Sequence, residues 1–322
     1  MPESLSNVDA PIKPAESRAA RQVIHTLVPR QTMNSLMQRT NRHALLHLAG
    51  HLASILVAGS LVAWAGEDWL ALPWMFLLGV LLVHLFAPQH ECAHYSAFRT
   101  RRLNEWVASL IGAIIVVPEV HFRYEHTDHH THTNRTGSDP QMIPLPRSRW
   151  AYWFYLSGVP YWWNAFSGVF VRALGRLNDA ERQFIPGPKK STVIWEARLH
   201  AALYLALGVA MLSGASALFQ YWLLPLLLGQ PVMRFIRMAE HAGRPTQFDL
   251  LVNTRSSRVD WPWRFIAWNM NFHAEHHLAP QMPFHALPKL HQLVEDRIPV
   301  GTGYRAAHRE IWQLMKRQAR AL

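Results

Sequence analysis

Three clusters of histidine punctuate the chain: His90 with His94, His126 with His129 and His130, and His273 with His276 and His277. Residues four apart share one face of a helix, so His90 and His94 can approach a single metal region. In both HxxHH strings the first and second histidines lie one turn apart. The adjacent third points about 100° away, which suits two metals better than one. Neutral imidazole binds iron, zinc, copper and nickel alike, so ligand type does not select the metal. Eight such ligands are too many for one ion and about right for two. Isolated histidines such as His47, His51 and His200 read as packing or interfacial residues, and His121 and His132 as loop or outer positions.

Acids accompany each cluster: Glu91, Glu125 with Asp128, Glu275, and Glu240 beside His241. Carboxylates that accept a ring's second N–H fix its tautomer and raise its basicity, so Glu91, Asp128, Glu240 and Glu275 are candidate outer partners of the rings. His90-Glu91-Cys92-Ala93-His94 is also literally an HExxH string, in which two histidines bind zinc and the glutamate is general base. An intramembrane zinc protease is therefore a rival reading, although it leaves six clustered histidines unexplained. The lone cysteine, Cys92, excludes an intramolecular disulfide framework and any cysteine-based metal site. It reads as a small buried hydrophobe.

The elements that must position these residues are apolar. Half of the 322 residues are hydrophobic and the formal net charge is +11, while mean hydropathy is close to zero. Long apolar runs are thus interleaved with basic stretches, the pattern of loops facing an anionic membrane surface. No nucleic-acid motif appears, and none is expected as a partner. Residues 43–66 and 69–90 contain no Asp, Glu, Lys or Arg, with Glu67 and Asp68 between them, and 199–233 is a third charge-free stretch. A bilayer core of about 30 Å takes about 20 helical residues. These runs predict four spans, 44–65, 69–89, 199–213 and 217–233, as two hairpins. The 106–118 stretch is too short to cross and reads as re-entrant or buried. The Trp- and Tyr-rich segment 150–171 reads as an interfacial helix. Were it to span, the basic stretch 172–198 would lie outside, against the positive-inside rule. With four spans, both termini and all three histidine clusters share the cytoplasmic face. The expected fold is all-α and integral to the membrane, with a cytoplasmic helical cap carrying the histidines. Residues 1–20 form an unstructured lead before a single domain over 21–322.

The strings HECAH, HFRYEHTDHHTHTN and NFHAEHHLAP, with hairpins between them, resemble the three histidine boxes of the membrane fatty-acid desaturase and hydroxylase superfamily. The resemblance covers roughly residues 43–295. HECAH followed by Ala97-Phe98-Arg99 is most similar to a bacterial hydrocarbon-oxygenase-like subgroup, which itself resembles membrane decarboxylases that form terminal alkenes. The resemblance implies two iron ions (Fe2+), with O2 as co-substrate. Their ligands would be His90, His94, His126, His129, His130, His273, His276 and His277, joined by His241 from just after the fourth span. It further implies oxidation of a fatty-acyl chain, by desaturation or hydroxylation, in a bacterial inner membrane. No cytochrome b5-like or rubredoxin-like segment is present, so a separate ferredoxin- or rubredoxin-type donor and its reductase are expected. Trp74, Phe76 and Trp222 are candidates to line the path of the chain.

Overall fold

The computed structural model describes residues 23–66, 69–247 and 249–321. The expected lead over 1–20 and the Glu67-Asp68 connection lie outside them. The described chain is mostly helical. Helix α1, Asn41–Ala65, opens on Thr40, whose hydroxyl accepts the His43 N–H. It ends at Gly66, whose φ of 73° is a conformation glycine adopts without strain. A single 3-10 turn, Trp69–Ala71, leads into α2, Leu72–Val83, with proline in its first turn, where the missing N–H costs nothing. After a slight break α3, Phe86–Ala93, carries the first histidine box.

Helix α4, Arg101–Ile115, ends on the left-handed Val116 (φ 61°). The chain then bends by 98° into α5, Glu119–His132, which carries the second box. Pro118 explains the break, since proline disfavours helix in the residue before it and cannot donate within one. The expected interfacial helix over 150–171 is two helices, α6 (Arg149–Leu156) and α7 (Val159–Ala173). Gly158 divides them at φ 76°, and a Cβ there would lie 2.8 Å from Gln230 Cγ. After α8, Asp179–Phe184, comes α9, Lys190–Leu212, which starts well before the predicted residue 199. A short π-helical segment over Phe219–Leu223 leads into α10, Leu224–His241. The third box lies on α11, His273–Leu278, followed by α12, Leu287–Val294, and α13, Tyr304–Ala321. Two-residue strands β1 (Ser256–Ser257) and β2 (Val300–Gly301) pair in parallel and tie α11 to the C-terminal region.

Among the described residues, three helices are long and apolar enough to cross a membrane: Asn41–Ala65, Trp69–Ala93 and Gly187–Leu212. The α4–α5 pair qualifies only if the bent unit is counted as one span. The predicted span 217–233 does not qualify, because its helix changes hydrogen-bond pattern at Phe219–Leu223 and ends in Arg234, Arg237 and Glu240. It is nonetheless built against α2. A Cβ at Gly79 would lie 1.9 Å from Pro225 O, and one at Gly229 only 2.2 Å from Gly79 C. The two backbones touch at that crossing, and only glycine permits it.

Candidate metal centre

The boxes sit on the ends of α3, α5 and α11, and α10 ends on His241 beside them. Just past the end of α3, the Tyr95 ring is contacted by the guanidinium groups of Arg101 (4.4 Å from its centroid) and Arg123 (4.2 Å). All nine histidines named from the sequence converge. His90, His94, His126, His130 and His276 form one group, whose candidate ligand atoms lie within 4.8 Å of one another. His129, His241 and His277 form a second such group, and His273 joins His241 and Glu240 in a third.

The partition corrects the expected pairing. In the second box His126 and His130 share a group while His129 joins the other. The third box mirrors this, with His273 Nε2 3.1 Å from His277 Nε2 and His276 in the first group. The reason is angular: at about 100° per residue, positions four apart are offset by about 40° and positions three apart by about 60°. The middle histidine therefore departs.

Most of these rings are fully buried. Burial first, and then the neighbouring rings, push His273, His276 and His277 well below the ordinary imidazole range. His94 falls to about 3, chiefly through burial. Neutral rings are the form that coordinates metal. His129 Nδ1 donates to Asp139 Oδ1 (2.7 Å), and His126 Nδ1 donates to Gln141 Oε1 (2.9 Å). The Thr133 hydroxyl, which donates to His129 O (2.8 Å), accepts from His277 Nδ1 (3.0 Å). Each partner fixes a tautomer with its Nε2 lone pair directed inward.

The Nε2 atoms then approach one another: His126 to His130 at 3.0 Å, His130 to His276 at 3.1 Å, His241 to His273 at 2.8 Å. Converging lone pairs repel unless a cation or a proton lies among them. Two nitrogens bound about 2.1 Å from one ion at right angles are about 3 Å apart. Buried nitrogens without hydrogen-bond partners, both of His90 and Nε2 of His94 and His129 among them, point to the same ligand chemistry. The residues fit a pair of metal ions.

The acids expected inside the boxes behave differently. Glu91 accepts from Ser96 Oγ (2.9 Å) and the Phe284 N–H (3.0 Å). Asp128 faces His132 at 3.8 Å. Glu275 accepts from Ser256 and His291. One or two residues from a ligand on a helix, these carboxylates are turned roughly 100–200° from the ligand face. Glu125 reaches the centre only through Gln141, whose Nε2 donates to its Oε2 at 3.0 Å. Glu240 lies 3.8 Å from His273 Nε2. The carboxylate holding a ring is Asp139, fully buried in the loop after α5 and missed in the sequence, where nothing links it to His129. Burial would raise the Asp139 carboxyl. The His129 ring and the N–H groups of Asn134 and Gln141 outweigh that and hold it below its ordinary value. The HExxH protease reading gives way here, because its general base would be Glu91, which is engaged elsewhere.

A cavity of about 30 Å³ adjoins the centre. Phe86, Met233, Ile236 and Met270 form its apolar wall, and His90, His273, Arg237 and Glu240 its polar one. Trp74, Phe76 and Trp222 do not line it: Phe76 is 46 % exposed, and Trp222 Nε1 donates to Ile114 O.

Residues 67–308 match the fatty acid desaturase family. The chain is 25 % identical over 236 residues to an endoplasmic-reticulum omega-3 fatty acid desaturase of Vigna radiata var. radiata, covering 65 % of this chain and 60 % of that protein. It is 25 % identical over 266 residues to the sn-1 acyl-lipid omega-3 desaturase (ferredoxin) of Synechocystis sp., with 77 % and 73 % covered. A Delta(12) acyl-lipid conjugase (11E,13E-forming) of Momordica charantia is 24 % identical over 280 residues, with 76 % and 68 % covered. The chain thus spans less than two thirds of the Vigna enzyme's length. The family match takes in every converging histidine and well over half of the sequence: the chain belongs to the fatty acid desaturase family, whose members are oxidoreductases acting on fatty acids.

Proposed function

We propose that this protein is a membrane-embedded di-iron enzyme that uses O2 to oxidise the aliphatic chain of a fatty acid or fatty-acyl lipid, by desaturation or hydroxylation. The observation that carries the reading is the convergence of nine histidines from four separate segments into adjoining groups of buried, inward-facing nitrogens. Two iron ions held there supply the O2 activation that an unactivated C–H bond requires. The five-histidine group would hold one ion, and His129, His241, His273 and His277 the other. Asp139, Gln141 and Thr133 keep His129, His126 and His277 in the tautomers that direct Nε2 inward. Phe86, Met233, Ile236 and Met270 exclude water from one flank of the rings and give an alkyl chain an apolar surface beside them. Where the chain sits against this wall decides which carbon reacts.

Four crossings account best for the helices. Gly79 lies within the apolar second span, and the Gly79–Gly229 contact sets the first half of α10 at the same depth. The α4–α5 unit is then re-entrant, with Trp106, Leu110 and Ile114 as its lipid-facing stripe. Exposed Trp150, Trp153 and Trp163 hold α6 and α7 at the headgroup level. The boxes and both termini share the side that carries the basic loops, the cytoplasm in a bacterial inner membrane. Electrons come from a separate ferredoxin- or rubredoxin-type protein and its reductase.

The test is expression with such a donor pair in a bacterial host, followed by mass spectrometry of fatty acids and volatile hydrocarbons under 18O2. New double bonds, or hydroxy acids carrying one 18O, are the expected products. An iron-loaded preparation that leaves every lipid unchanged would overturn the reading.

A further inference from the structure

We infer that the Glu240 carboxylate is itself a metal ligand, completing the histidine set of the second ion, an assignment that rests on the di-iron reading above. Glu240 ends α10 beside His241 and is only 4 % exposed. Its oxygen and the ring nitrogens of His241 and His273 form one of the three donor groups of the centre. Two donors bound about 2.1 Å from one ion can be at most about 4.2 Å apart. Glu240 Oε2 meets that limit against His273 Nε2, at 3.8 Å. His273 Nε2 is in turn 2.8 Å from His241 Nε2 and 3.1 Å from His277 Nε2. The carboxylate therefore stands at the same point of convergence as the rings.

The other buried acids of the boxes are placed differently. Glu91 and Glu275 are turned to Ser96, Phe284, Ser256 and His291, and among the described residues neither belongs to a donor group. Asp139 is occupied by His129 and by the N–H groups of Asn134 and Gln141. Glu240 alone borders the cavity that also touches His90 and His273, so it faces open space rather than a wall.

Its present partner is Arg237, whose Nη1 donates to Oε2 at 3.0 Å. One guanidinium compensates one buried carboxylate, but it does nothing for the ions. Nine neutral imidazoles bring no negative charge to two divalent cations in a site from which water is largely excluded, and uncompensated charge there is costly. Glu240 is the anion within reach. Its ligation makes the two ions inequivalent: five neutral rings hold one, and rings plus an anionic oxygen hold the other.

The test uses full-length protein loaded with 57Fe. Wild type is expected to bind about two irons per chain. Glu240→Gln is expected to shift the Mössbauer doublet of about half the iron and to lower its retention, while Glu240→Asp restores the wild-type shape in part. Arg237→Met, which removes the counter-ion and keeps the carboxylate, leaves the doublets in place. A Glu240→Gln protein with two irons and unchanged doublets would overturn the assignment. So would an Arg237→Met spectrum shifted as far as that of Glu240→Gln, because the carboxylate would then act only as a partner of Arg237. Should Glu240→Gln not fold, the infrared difference between iron-loaded and iron-free wild type decides. A displaced glutamate carboxylate stretch, identified by 13C-glutamate labelling, supports ligation, and its absence refutes it. Wild type without iron fails the di-iron reading itself, and is thereby distinguished from a two-iron protein in which Glu240 is a bystander.

Discussion

Asp139 shows what a side chain remote in sequence does for a ligand. Its Oδ1 accepts a hydrogen bond from His129 Nδ1–H, and its two oxygens also accept from the N–H groups of Asn134 and Gln141. Removing it frees the ring to rotate and removes the acceptor that selects its tautomer. Such outer partners are worth about 10–100-fold in metal affinity. Asp139→Ala is therefore expected to lose iron about 10–100-fold faster to a chelator than wild type, whereas Asp128→Ala, whose carboxylate faces His132, a ring outside the nine, stays near wild type. Iron release followed by absorbance decides between them, and equal rates in the two variants would remove Asp139 from this role. The contrast also shows what the sequence made legible. The nine histidines stood out because their spacing is local and their chemistry is particular to imidazole. Asp139, Gln141 and Thr133 are ordinary residues of a loop, and only folding brings them to the rings. The second histidine of each HxxHH was misassigned for a related reason: spacing gives the faces of a helix but not where the partner group lies.

Between elements, the contact that sets the scaffold is Gly79 against Gly229. A methyl group added at Gly229 meets the backbone of Gly79 at 2.2 Å, and backbone cannot swing aside as a side chain can. Gly229→Ala is expected to cost at least about 1–3 kcal/mol through overpacking and to lower the melting temperature of the detergent-solubilised protein by several degrees. Gly208→Ala in α9, with nothing within 4 Å of its Cβ, is expected to be neutral or slightly stabilising. Identical melting curves for the two variants would mean that α2 and α10 are not in backbone contact. Glu181 closes a capping box with Asn178 and accepts from Arg172 (2.9 Å) and His121 (3.1 Å). Burial alone would raise its carboxyl, but these partners outweigh that and hold it down at about 2, against an ordinary 4.5. A carboxyl depressed in the folded state stabilises fully above its ordinary value and loses that contribution as pH falls toward the folded one. Glu181→Gln should therefore melt below wild type at neutral pH, and the gap should close between about pH 4.5 and about pH 2. A gap that stays constant through that range would assign the effect to shape rather than charge. The charge-free runs made α1, α2 and α9 legible in the sequence. The break at Gly158 was not, because it is set by the close approach of Gln230 from α10.

At the scale of the whole molecule, the number of crossings sets the side of the membrane on which each loop lies. Length and composition identify three crossing helices among the described residues, while the backbone contact at Gly79–Gly229 argues for a fourth. The two counts predict different orientations. With four crossings, the loop before α4, the turn before α9 and the C-terminal helix face the same side, opposite Gly66 and Gly214. With three, α10 does not cross, and the third histidine box would lie across the membrane from the first two. The nine rings could not then meet, so their convergence favours the proposed crossing of α10. Cysteines placed singly at Arg99, Lys190, Gly214 and Arg317 read this directly. Native Cys92 is fully buried and should stay silent toward a membrane-impermeant maleimide. In sealed right-side-out vesicles Gly214→Cys should label, and the other three only after the membrane is opened. Labelling of Arg317→Cys from the same side as Gly214→Cys would place the C-terminal helix outside and refute the four-span arrangement. That result would also leave the convergence of His273, His276 and His277 with the other boxes without a physical route.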